Sequence, residues 1–100
     1  MRKLVRSVDP GWLEEHDGYS ILDVRTREDF EQRHIRHEAI VNTYYRKFEE
    51  EDVDIEEKVP DVEPIVVVCW RGKYSEMIAR KLQKEGFEAY SLSGGMASLT

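Results

Sequence analysis

The sequence predicts an α/β fold: a central, mostly parallel sheet of about five strands, flanked by helices on both faces. Three observations predict it. The run Ile65-Val66-Val67-Val68-Cys69 is rich in β-branched residues and uninterrupted by polar ones, which suits a central parallel strand covered on both sides. Soon after it, Ser75 to Glu85 sets Ile78, Ala79 and Leu82 on one side and Arg80, Lys81, Lys84 and Glu85 on the other, the pattern of an amphipathic helix. Along the rest of the chain, short apolar runs alternate with helix-like segments, as in successive strand–helix–strand units. One hundred residues hold one core and therefore one domain, 1–100.

Taken in order, Leu4 to Val8 reads as a short edge strand. Asp9-Pro10 supplies a capping side chain and a proline at the first helical position, opening a helix through Trp12 and Leu13 to about His16. Asp17-Gly18 turns the chain, and Tyr19 to Val24 is a buried strand ending between the polar Asp23 and Arg25. Thr26 with Asp29 three residues on resembles a capping box, so a short helix runs to about Arg33 with Phe30 facing inward. Ala39 to Asn42 is a short strand, and Tyr44 to Glu51 a helix with Tyr44, Tyr45 and Phe48 on one face. Glu49 to Glu63 reads as a solvated loop with one helical turn. Pro64 opens the central strand, Gly86 stops the amphipathic helix, Phe87 to Leu92 forms the last strand, and Gly94-Gly95 turns the chain. Trp12 and Tyr19 are expected to serve packing.

The formal charge is −6, which argues against general nucleic-acid binding. That charge is concentrated: Glu49 to Glu63 holds nine acidic residues against Lys58 alone, whereas Cys69 to Thr100 holds five bases and three acids. The longest apolar run is far too short to span a bilayer. The basic start, Met1 to Arg6, is followed by no apolar stretch of the kind a signal peptide needs. A single cysteine forms no internal disulfide and no cysteine-cluster zinc site. A cytoplasmic setting, no membrane, no metal and a monomer are the expectations.

Val68-Cys69-Trp70-Arg71-Gly72-Lys73-Tyr74-Ser75 carries the chemistry. A cysteine stands where a buried strand ends, which is where open α/β sheets bind ligands. The loop that follows leads into a helix, so its backbone N–H groups form an anion cradle. Gly72 permits the unusual backbone angles such a cradle requires. Arg71 and Lys73 add positive charge, and Trp70, Tyr74 and Ser75 complete the loop. Together these features favour negative charge on the Cys69 sulfur, the nucleophilic form. The competing account is a buried structural cysteine.

Cys69-Trp70-Arg71-Gly72-Lys73-Tyr74 resembles the Cys-x-x-Gly-x-x active-site loop of the rhodanese-like sulfurtransferases. Ile21-Leu22-Asp23-Val24-Arg25 followed by Glu28, Phe30, His34 and Ile35 resembles the family's Leu-Asp-Val-Arg segment and its Glu-Phe and Gly-His-Ile continuation. Leu82 to Phe87 with Leu92-Ser93-Gly94-Gly95-Met96 resembles its Gly-Phe and double-glycine ending. The resemblance runs from about Val8 to Leu99. It departs at Arg33, where the family has Gly, at Arg36-His37-Glu38-Ala39 in place of a Pro-Gly-Ala turn, at Leu99 in place of Trp, and at Tyr74 in place of Arg or Thr.

The resemblance implies a two-step sulfur transfer. Cys69 takes the outer sulfur of a small anionic donor such as thiosulfate, or of a protein persulfide, and yields it to a thiol or cyanide-like acceptor. The N–H groups of Arg71 to Ser75 stabilise the persulfide, Arg71 and Lys73 attract the donor, and no metal or organic cofactor is required. Asp23 and Arg25 are supporting candidates, with Arg25 helping to bind an anion and Asp23 bracing the loop; the preferred account of the two is a structural ion pair or helix cap. His34 is expected to brace a turn, and neither it nor His37 to act as a base. Two other functions compete. A cysteine phosphatase needs Arg at the loop's end, where Ser75 stands. A non-catalytic rhodanese-like binding or regulatory module would use the acidic stretch for docking, although a solvated loop is the simpler account of that stretch.

Overall fold

The computed structural model of the chain describes residues 6–50 and 52–99. Five strands form one sheet: β1 (Ser7–Val8), β2 (Ser20–Asp23), β3 (Ile40–Asn42), β4 (Ile65–Val68) and β5 (Ala89–Leu92). Their order is β1-β5-β4-β2-β3 and every pairing is parallel. The β-branched run is at the centre, with Val66 opposite Ile21 on one side and Tyr90 on the other.

Period-two alternation along β4 divides the core. Ile65, Val67 and Cys69 share one face with Leu22, Val24, Phe48, Ile78, Ala79 and Leu82. Val66 and Val68 share the other with Val8, Tyr19, Ile21, Leu92 and Met96. Helices therefore cover both faces. On the first lie α3 (Ile55–Lys58), α4 (Lys73–Lys84) and a 3₁₀ turn (Tyr45–Glu49). On the second lie Trp12 and Leu13 of α1 (Pro10–Glu15) and a second 3₁₀ turn (Gly95–Leu99). The remaining helix, α2 (Arg27–Gln32), buries Phe30. Among the described residues no helix is long and apolar enough to cross a membrane.

The caps act as their residue types require. Asp9 accepts the Trp12 N–H at 3.0 Å, and Thr26 accepts that of Asp29 at 3.2 Å. Trp12 packs tilted against Tyr19 and edge-on to Tyr90, the packing role expected for Trp12 and Tyr19.

Several boundaries differ from expectation. The edge strand is confined to Ser7–Val8, with Leu4 and Val5 outside the described residues. Tyr44 to Glu51 is not an α-helix but the 3₁₀ turn Tyr45–Glu49, with Glu51 outside the described residues. Glu50 beyond it is extended, no side chain caps the turn, and it is held by tertiary contact instead. Phe48 is fully buried, and the Lys81 amine donates to its carbonyl at 2.6 Å. Burying one such phenylalanine stabilises by about 1.5–3 kcal/mol, enough to outweigh local preference. The acidic stretch does contain one helical turn, α3, but Ile55 and Val59 insert into the core, so it is anchored rather than wholly solvated. The helix expected from Ser75 starts at Lys73, because Gly72 completes the turn two residues earlier.

The topology sets the position of the site. After β2 the chain moves outward to β3; after β4 it crosses the other way to β5. The carboxyl ends of β2 and β4 thus flank a switch point, where open sheets leave a crevice.

At the end of β2 the Arg25 guanidinium grips the Asp23 carboxylate, with Nη2–Oδ2 at 2.8 Å and Nε–Oδ1 at 3.0 Å, both side chains nearly inaccessible. Removing either partner leaves a buried charge alone, which costs about 3–5 kcal/mol. Arg25→Ala is accordingly expected to lower the urea midpoint sharply. Arg27→Ala, which removes the exposed Arg27–Glu31 pair, should leave the midpoint nearly unchanged.

Candidate active site

Cys69 follows β4 directly, on the α4 side of the sheet. Gly72 is left-handed at φ +100°, a conformation costly for any residue with a Cβ. A Cβ there would also lie 3.3 Å from the Gly94 nitrogen. The turn sends the chain straight into α4 and aims two N–H groups back at the sulfur. The Gly72 nitrogen is 3.0 Å and the Ser75 nitrogen 3.3 Å from Cys69 Sγ. Cys69 is 3% exposed, so these bonds act where water competes little.

The cradle is held from behind by the second 3₁₀ turn. Met96 donates to the Cys69 carbonyl at 2.8 Å and Ala97 to that of Trp70 at 3.0 Å. This contact needs Gly95: a Cβ there would collide with the Cys69 carbonyl oxygen and lie 2.6 Å from that of Trp70. The double glycine, expected only to turn the chain, thus fixes the loop that carries the sulfur.

The other loop residues form the rim. Trp70 is 48% exposed and Tyr74 40%. Tyr74 stacks on Tyr45 of the first 3₁₀ turn, with ring centroids 4.1 Å apart, and Tyr44 meets Tyr45 edge-on. The Arg46 guanidinium, and then the Tyr74 hydroxyl, hold the Tyr45 phenol below its ordinary range, while Tyr45 raises that of Tyr74. Nothing in the sequence marked Tyr45 as a rim residue, since only the fold brings it to the loop. Arg71 and Lys73 border a cavity of about 290 Å³ with Ser91, Ser93, Gly94 and Glu76. A larger groove of about 470 Å³ lies between Phe48 and the α4 residues Met77 and Arg80, and is not lined by the cysteine loop.

Asp23 and Arg25 stand at the neighbouring strand end. Besides the ion pair, Arg25 Nη2 donates to the Arg33 carbonyl at 2.6 Å, and the Arg25 backbone N–H meets Asp23 Oδ1 at 3.0 Å. The guanidinium carbon lies 5.9 Å from the Trp70 ring centre. Nε and Nη2 are thus engaged by Asp23 and the Arg33 carbonyl, and the guanidinium faces the loop at the Trp70 indole. The histidines are held elsewhere: His34 Nδ1 lies 2.7 Å from the Phe30 carbonyl, its ring stacked on Phe30, and His37 Nε2 lies 2.7 Å from the Tyr19 carbonyl. Among the described residues, the hydrogen-bond partners of Cys69 Sγ are Gly72 and Ser75.

With this geometry in place, the chain can be compared with known proteins. It is 34% identical over 92 residues to a tRNA sulfurtransferase of Desulfurococcus amylolyticus, a match covering 88% of this chain and 17% of that protein. It is 34% identical over 76 residues to thiosulfate sulfurtransferase GlpE of Coxiella burnetii, covering 75% of this chain and 65% of that one. The chain thus spans less than two thirds of the length of either. The crystal structure of a rhodanese-related protein from Thermoplasma volcanium superposes with a TM-score of 0.77 at 23% identity, covering 93% of this chain and 88% of that one, and so shares the fold. The match that decides the matter is to the rhodanese-like domain, which runs over residues 9–100, from the cap of α1 past the double glycine, and on that ground the chain belongs to the rhodanese-like domain family.

Proposed function

We propose that this chain is a sulfurtransferase in which Cys69 carries sulfur from a donor to an acceptor. The observation that supports it is the seating of Cys69 Sγ beneath the N–H groups of Gly72 and Ser75 at the start of α4. The names of the two sulfurtransferase relatives support the same chemistry.

In the first step the Cys69 thiolate attacks the outer sulfur of thiosulfate or of a persulfide. The donor's sulfur–sulfur bond breaks, its electron pair leaves with sulfite or the donor thiolate, and Cys69 becomes a persulfide. In the second step cyanide or a thiolate attacks the outer sulfur, and the pair returns to Cys69. No net electron or proton is required with thiosulfate and cyanide. Splitting the transfer in two keeps each displacement easy. The loop N–H groups oppose the negative charge that persists on sulfur throughout, and the first-turn N–H groups of α4, which have no acceptor within the helix, extend that field. Arg71 and Lys73 are exposed and draw an anionic donor toward the rim. Arg25 with Asp23 braces the loop, while Trp70 and Tyr74 wall the entrance. We place this activity in one domain acting as a monomer in a reducing cytoplasm, without metal or organic cofactor.

Mixing the protein with thiosulfate and cyanide should yield thiocyanate, and Cys69→Ser should abolish it. Intact-mass measurement after thiosulfate should show one added sulfur on the wild type and none on Cys69→Ser; absence of the adduct with every donor tried would refute the proposal. A chromogenic phosphate ester should show no Cys69-dependent turnover. Gly72→Ala strains the left-handed turn and misaims the donors, so kcat/KM is expected to fall about a hundredfold or more.

A further inference from the structure

The hydroxyl of Ser91 takes no part in the steps above. Strand β5 alternates its side chains: Leu92 joins the core on the α1 side, whereas Ala89, and with it Ser91, face α4. Ser91 is 1% exposed on that face, and a buried hydroxyl needs a partner. Its Oγ lies 2.7 Å from Ser75 Oγ, the shortest contact Ser75 makes. Ser75 Oγ also lies 3.1 Å from the Gly72 carbonyl oxygen and 3.5 Å from Cys69 Sγ.

A hydroxyl has one hydrogen and two lone pairs, so the directions of these three contacts are constrained. With a neutral thiol, the S–H donates to Ser75 Oγ, and Ser75 donates to the Gly72 carbonyl. A charged sulfur only accepts, as does the carbonyl. Ser75 then has one hydrogen for two acceptors, and it serves the sulfur only if it is not spent on Ser91. The Gly72 carbonyl can release it, because it also receives the Glu76 N–H at 3.2 Å.

We propose that Ser91 is a positioning residue for the sulfur: its O–H donates to Ser75 Oγ in both states, leaving the single Ser75 hydrogen to swing from the Gly72 carbonyl to Cys69 Sγ as the sulfur becomes charged. No heavy atom moves. The bond from Ser91 also polarises the Ser75 hydroxyl, which strengthens its donation. This inference rests on the reading of Cys69 as the nucleophile and adds a residue to that site. Arg71, Lys73 and Glu76, which line the adjoining cavity with Ser91, are left in place by the variants below and act as a constant background.

The rate of Cys69 alkylation by iodoacetamide near neutral pH tests it, since the chain has one cysteine. Ser91→Ala is expected to slow alkylation about two- to fourfold, the share by which one hydrogen bond strengthens the next. Ser91→Thr keeps the hydroxyl and should react at the wild-type rate. Ser75→Ala should slow the reaction about tenfold, and Ser75→Ala with Ser91→Ala should be no slower than Ser75→Ala alone. A wild-type rate in Ser91→Ala, equal slowing in Ser91→Thr, or multiplied effects in the double variant would each overturn the proposal. Alkylation needs no sulfur donor, so failure of sulfur transfer is read separately and counts against the activity, not against this hydrogen-bond arrangement.

Discussion

Two backbone N–H groups converging on one buried sulfur are the interaction around which the molecule is arranged. A sulfur anion removed from water is costly unless donors replace the lost solvation. Side chains could supply such donors only by freezing rotatable bonds. Here the peptide groups of Gly72 and Ser75 supply them, already fixed by a helix and a strand. The cost falls on two glycines. Gly72 adopts a backbone conformation other residues resist, and Gly95 lets the following turn touch the carbonyls of Cys69 and Trp70. Those carbonyls are bonded by Met96 and Ala97, which ties the loop to the second 3₁₀ turn.

The parallel sheet provides the rigid frame. β4 is buried along its whole length and bonded on both edges, so the residue that follows it is located as firmly as any in the fold. The adjacent end of β2 is secured by the Asp23–Arg25 pair and by Asn42, whose amide donates to the Asp23 and Arg25 carbonyls. Arg25 sits below Trp70, which links the two strand ends through an aromatic face. The overall charge of −6 is a poor guide to this region. The excess acid lies between Glu49 and Glu63, a connection pinned to the core by Ile55 and Val59, whereas the cysteine loop carries the exposed bases Arg71 and Lys73.

Much of this was legible in the chain. The β-branched run placed the central strand. The pairing of cysteine with a glycine ahead of an amphipathic helix located the loop, and Asp9 and Thr26 marked two helix starts. What escaped the sequence depends on long-range contact. The 3₁₀ turn at Tyr45–Glu49 shares composition with a helix, and only the burial of Phe48 and the bond from Lys81 select the tighter turn. Helix α4 begins two residues early because Gly72 turns left-handed, which composition permits but does not require. Tyr45 and Ser91 lie far from the cysteine loop in sequence and meet it, at Tyr74 and Ser75, only through the fold. Gly95 carried a signal, the double glycine, yet its clearance against two carbonyls becomes apparent only when the strands are assembled.

The central claim is that the Gly72 and Ser75 amides solvate the sulfur that does the chemistry. Amide proton resonances before and after persulfidation by thiosulfate test it most directly. If the claim holds, the Gly72 and Ser75 signals move markedly downfield as the persulfide forms, the Leu82 amide deep in α4 stays in place, and Cys69→Ser shows no response. A persulfide that forms while both loop amides remain unmoved would contradict it.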